Sequence, residues 1–165
     1  MAIQLQSLVL LVVLAVVVRG AAPRGPGSGP GRDGERPLVR ERLPERVRRT
    51  ADAEARGSTV RGYSVEVERG RRVYEVTMTR DGHARSVTIA ADGRVLEVEE
   101  AVDVSTLPAE VVTALRNRAD RADITGVESI TRAGVLVAYE AHVVMAGRRF
   151  GIRVGPKGQK VEGDD

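Results

Sequence analysis

Between Arg71 and Glu100 the chain alternates apolar and polar side chains in three short bursts. Tyr74, Val76 and Met78 fall on one side of the first burst, and Glu75, Thr77 and Thr79 on the other. A period of two places successive side chains on opposite faces of a strand with one face buried. Asp81-Gly82 interrupts the alternation, Ser86 to Ile89 resumes it, and Asp92-Gly93 separates that burst from Val95 to Glu99. Asp-Gly between alternating segments is a hairpin signal, because a tight hairpin turn needs positive φ, which glycine reaches without a Cβ clash. The stretch therefore predicts a three-stranded antiparallel meander. Upstream, Tyr63, Val65 and Val67 alternate with Ser64, Glu66 and Glu68, which adds a strand over Val60 to Glu68, turned by Gly70.

A different period precedes that strand. Leu43, Val47, Ala51 and Ala55 recur every four residues, a narrow apolar stripe on an Arg- and Glu-rich helix. Pro44 suits the first helical position, where a missing N–H costs nothing, and Gly57 ends the helix. The same order follows downstream. Leu107-Pro108 opens a helix with Val111, Leu115 and Ala119 on its face, and strands are expected over Val127 to Thr131, Leu136 to Met145, Arg149 to Val154 and at Val161. Shifting by 64 sets Leu43 on Leu107, Pro44 on Pro108, Gly62 on Gly126 and Gly70 on Gly134. Shifting by 65 sets Tyr74 on Tyr139, Glu75 on Glu140, Gly82 on Gly147 and Gly93 on Gly158. The expectation is an internal duplication. The predicted fold is α+β, with two tandem helix-plus-four-stranded-antiparallel-meander repeats and both helices packed on one face of the sheet.

Each half resembles the PepSY-like repeat of secreted bacterial proteins. The residues concerned are the Leu-Pro that opens a helix, the Tyr-Glu that enters a central strand, and the Asp-Gly or Lys-Gly before the last strand. Two such units in tandem look like the beta-lactamase-inhibitor-like proteins. That resemblance implies a sheet with one helix-covered face and one open face, on exported, non-catalytic domains that bind other macromolecules or sense the envelope. It carries over no binding residue, since its motifs are structural. This chain departs from the disulfide-bearing inhibitors in having no Cys.

The N-terminus sets the expected compartment. Leu8 to Val18 is an apolar run closed by Arg19, shorter than the ~20 residues a membrane-spanning helix requires and suited to a signal-peptide core. Residues 1–20 read as a signal peptide, or as an anchor if retained, and the expected location is periplasmic or secreted. Residues 21–42, rich in Gly, Pro and Arg, read as a disordered linker. Repeat 1 spans 43–100, a connector 101–106, and repeat 2 107–165.

Composition narrows the chemistry. With 42% apolar but 2% aromatic residues the core must be aliphatic. Residues 21–50 hold eight Arg against four acidic side chains, so the high pI belongs to the approach segment. No clustered basic face with stacking aromatics points to nucleic acid. The absence of Cys removes thiolate zinc sites and cysteine nucleophiles. His83 and His142 do not correspond between the halves, and Glu140 with His142 lacks a visible third metal ligand. No catalytic, cofactor or metal residue is expected.

The candidate site is the polar side of the strands. Glu66, Glu75, Thr77 and Glu97 mark it in the first half, and Glu140, His142, Arg149 and Arg153 in the second. The expected function is a non-enzymatic module that docks an envelope or extracellular protein of unidentified kind, with peptidase or hydrolase inhibition as one form of it. A small-ligand or metal-responsive sensor, or a structural envelope protein, are the alternatives. Membrane contact is expected only through an uncleaved N-terminus.

Overall fold

The alternating segments pair in chain order. A computed structural model describes residues 35–161 and forms them into a single eight-stranded antiparallel sheet of order β1 to β8. The strands are β1 Arg36–Leu38, β2 Thr59–Glu68, β3 Arg71–Arg80, β4 His83–Ala90, β5 Val95–Val102, β6 Asp123–Arg132, β7 Val135–Met145 and β8 Arg148–Val154. Helix α1 is Glu45–Glu54 and helix α2 is Ala109–Ala119. The expected signal segment and most of the expected linker lie outside the described residues.

This corrects the predicted fold class. Strand makes up 54% of the described residues and helix 21%, and there are not two helix-plus-four-strand repeats. β5 pairs along its other edge with β6, Val98 opposite Thr131 through Val102 opposite Val127, so the ladder has no break between halves. The eighth strand of the expected arrangement, at Val161, is reduced to one bridge between Val154 and Lys160. At the other end Arg36–Leu38, expected within the linker, pairs with Tyr63 to Val65 as an edge strand. The 64- and 65-residue correspondences therefore mark matched turns and helix starts on one shared sheet.

Those matched turns show why the glycines are where they are. Gly93 and Gly158 have positive φ, 89° and 74°, and each closes a turn that packs on the first part of a helix. A Cβ on Gly93 would lie 3.0 Å from the Arg46 carbonyl oxygen, and one on Gly158 2.6 Å from that of Glu110. Thr50 Oγ1 also donates to the Gly93 carbonyl at 2.7 Å. These turns dock each helix onto the sheet.

The four-residue stripes form the buried faces. Leu43, Val47 and Ala51 pack with Val65, Tyr74, Val76, Val87 and Ile89. Val111, Leu115 and Ala119 pack with Val127, Ala141, Val143, Ile152 and Val154. Both Pro44 and Pro108 take the cap position just before the helix, with extended ψ of 146° and 141°. Burying an aliphatic side chain of this kind stabilises by roughly 1.5–3 kcal/mol. Register places both clusters on one face: Val76 sits opposite Val87, Val87 opposite Val98, Val98 opposite Thr131, and Val127, four residues back on β6, opposite Ala141. Both helices therefore cover the same side.

One charge sits inside that side. Arg85 shares a face with Val87 and Ile89 yet is buried, and it closes the C-terminal end of α1. Its Nη2 donates to Glu54 Oε2 at 2.7 Å and its Nη1 to the Glu54 carbonyl at 3.4 Å, while Arg80 Nη2 donates to that carbonyl at 2.6 Å. Cations here meet the unpaired carbonyls and the negative end of the helix dipole.

Candidate functional site

Glu66, Glu75, Thr77, Glu97, Glu140, His142, Arg149 and Arg153 all fall on the face opposite the helices. Register fixes this: Ser64 pairs with Glu75, Gly62 with Thr77, Glu75 with Thr88, Thr88 with Glu97, Glu128 with Glu140, Gly126 with His142, Glu140 with Arg153 and Val144 with Arg149. Glu66 is opposite Val73 on the same side.

Neither α1 nor α2 covers this face, yet much of it is buried. Ser64, Glu66, Val73, Ser86, Glu128, Ile130 and Ala138 are each no more than 9% exposed and belong to neither helix-packed cluster. Curvature accounts for it. In a flat sheet β5 and β8 would lie roughly 14 Å apart at ~4.8 Å per strand. Even so, the Arg153 guanidinium responds to Glu97 and Glu99 as well as to its neighbour Glu140. A groove of about 920 Å³ is lined both by Glu68 and Arg69, at the β2–β3 turn, and by Arg153 of β8. The sheet curls toward its open side, and side chains from distant strands screen one another.

Opposite charges meet across neighbouring strands. Arg132 Nε donates to Glu97 Oε2 at 2.5 Å, linking β6 to β5. Arg153 Nε donates to Glu140 Oε2 at 2.6 Å, linking β8 to β7. Burial alone would lower the Arg153 pKa; attraction by Glu140, the hydrogen bond to it, and the fields of Glu97 and Glu99 outweigh that and raise it. Gly151 makes room for the second pair, since a Cβ there would stand 2.0 Å from Glu140 Oε1.

His142 Nε2 lies 3.0 Å from Glu128 Oε2, whose side chain is 7% exposed. The approach is off the N–H axis, so it is an ion-pair contact without a well-directed hydrogen bond. The Glu128 carboxylate raises the His142 pKa most, burial opposes it, and Glu140 and Glu99 add to the rise. Among the described residues no group of three or more His, Cys, Asp or Glu side chains could hold a metal ion.

Two features were missed in the sequence. Arg85 carried a readable signal, being the charged member of the Arg85, Val87, Ile89 parity. The groove carried none, because it gathers residues far apart in the chain that meet only when the sheet curls.

Comparison with known proteins places this architecture. No family model and no curated protein matches the chain. Solved structures do. A Bacteroides fragilis protein named BLIP-like superposes with a TM-score of 0.51 at 16% identity, over 69% of this chain and 79% of that one. The fold is BLIP-like. Two further structures share it: a Bacteroides eggerthii protein provisionally described as periplasmic, with TM-score 0.57 at 15% identity over 71% of this chain and 84% of that one, and a DUF2874 family protein from Bacteroides uniformis, with TM-score 0.55 at 14% identity over 70% and 84%. At such identities the BLIP-like likeness concerns the fold and carries no site residue across.

Proposed function

We propose that this chain is an exported, non-enzymatic binding module of the bacterial envelope. It docks another protein on the concave open face of its sheet, and inhibition of a peptidase or hydrolase is one form such docking takes. The observation that carries the reading is the state of that face. It is curved, it holds acidic side chains at low exposure, and it is left uncovered by both helices. Glu66 and Glu128 stay no more than 7% exposed on a face that neither α1 nor α2 covers, so the curl of the sheet screens them and leaves a hollow that can receive a partner's surface. Charged pairs across β5–β6 and β7–β8 give it a fixed polar pattern, which favours specific partners. The apolar segment ahead of Arg19 and the provisional periplasmic description of a structural neighbour support the compartment. The PepSY-like Leu-Pro and Tyr-Glu motifs support an envelope role of the same kind.

The test is photo-crosslinking in the intact envelope. A photoreactive residue replacing Thr88, on the open face, is expected to give a discrete protein adduct. The same residue replacing the exposed Thr113 on α2 is expected to give none. Adducts from Thr113 alone, or from neither position, would defeat the reading.

A further inference from the structure

At the end of the sheet bearing the β2–β3 and β6–β7 turns, the concave face opens into the groove of about 920 Å³. Four guanidiniums from separate elements line it: Arg69 in the turn, Arg71 on β3, Arg132 on β6 and Arg153 on β8. Two carboxylates, Glu68 and Glu97, accompany them, so the lining carries an excess of positive charge. Its floor is apolar at Val73, which is 4% exposed.

The deeper carboxylates are already engaged. Glu97 accepts from Arg132, Glu140 from Arg153, and Glu128 meets His142. Arg69 and Arg71 stand exposed at the rim. Arg69 also occupies a costly place. It has φ 48° at the first position of a two-residue hairpin turn, where Gly, Asn or Asp is favoured. The matching positions of the other two-residue turns hold Asp81, Ala133 and Ala146, so the turn itself does not call for a long cation. A guanidinium held there faces outward beside Arg71, where an incoming anion would arrive.

We propose that this groove receives an acidic loop of the docked protein, one or two Asp or Glu carboxylates seated between Arg69, Arg71 and Arg132 with their aliphatic stems over Val73. Arginine is suited to this because its planar donors pair with a carboxylate in two-pronged fashion. The proposal rests on the docking reading above and adds the chemistry of the partner. A Lys- or Arg-bearing loop is disfavoured by the exposed rim charges.

The test is an NMR titration of the full chain with three disulfide-closed peptides that differ at the tip: Glu-Asp, Gln-Asn and Lys-Lys, with citrate as a fourth probe. The Glu-Asp peptide is expected to shift the amides of Arg69, Gly70, Arg71 and Arg132, and to bind at least about tenfold more tightly than the Gln-Asn peptide. Arg71→Ala with Arg132→Ala is expected to weaken it about tenfold. Arg69→Gly supplies a control for folding: glycine relieves the positive φ, so stability should hold or rise while binding falls. Equal binding of the Glu-Asp and Gln-Asn peptides, preference for Lys-Lys, or citrate binding as tightly as the Glu-Asp peptide would overturn the acidic-loop assignment. If any of those occurs while the Thr88 crosslink persists, the acidic loop is wrong and the docking face stands. If both fail, the docking reading falls as well.

Discussion

At the scale of single residues, the two halves depend on side chains that break the local pattern. Arg85 is a buried cation on an aliphatic face, held by Glu54 and by the end of α1. Arg85→Met should cost about 2–3 kcal/mol, because the Glu54 carbonyl and carboxylate lose a partner; urea denaturation checks it. Gly93→Ala should cost about 2 kcal/mol, combining an unfavourable φ with a Cβ 3.0 Å from a helix carbonyl. His142 gives a pH signature. Its folded pKa is raised above 6.5 by Glu128 first, then by Glu140 and Glu99. The stability from its ion pair is therefore fully present below about pH 6.5 and is lost as pH rises through the raised folded value. His142→Gln should flatten the change in urea midpoint across that window, and an unchanged slope would show that the Glu128 pair does not form. Much at this scale was legible. Alternation put all eight candidate residues on one face, since parity in a strand is a local property. What Gly151 does for Glu140, and what Arg85 does for α1, depends on neighbours brought by folding.

At the scale of elements, the helix stripes were readable because a four-residue apolar repeat needs no knowledge of its partner. Leu43, Val47 and Ala51 are buried as that repeat requires, and so are Val111, Leu115 and Ala119. Leu115 is 1% exposed at the centre of the second cluster, so Leu115→Ala should cost about 3 kcal/mol, measured by thermal or urea unfolding. Strand ends were less legible. β6 begins at Asp123, ahead of the expected Val127, because Asp123 and Ile124 pair with Val144 and Val143 after a register shift that no alternation reveals. β1 was hidden in an Arg- and Pro-rich segment, where only the unpaired edge of β2 makes it a strand. The last expected strand is cut short for a related reason: among the described residues beyond the turn at Gly158, only Lys160 finds a ladder partner.

At the scale of the whole molecule, the matched motifs pointed to two four-stranded repeats on one sheet, and the structure instead holds one eight-stranded ladder that gains β1 at one end and keeps a single bridge at the other. Turn chemistry and helix starts repeat locally, but which strand meets which is set by the free edges of β5 and β6, and no motif encodes that choice. The joining matters for function. Glu97 of β5 meets Arg132 of β6, and Arg153 of β8 responds to Glu97 and Glu99, so the concave face is a single charged surface only while the halves share a ladder. The most direct test is the set of cross-strand NOEs between β5 and β6 in solution. Contacts pairing Ala101 with Glu128 and Val102 with Val127 are expected. Their absence, with NOEs confined to either side of that junction, would contradict the continuous sheet and the docking face built on it.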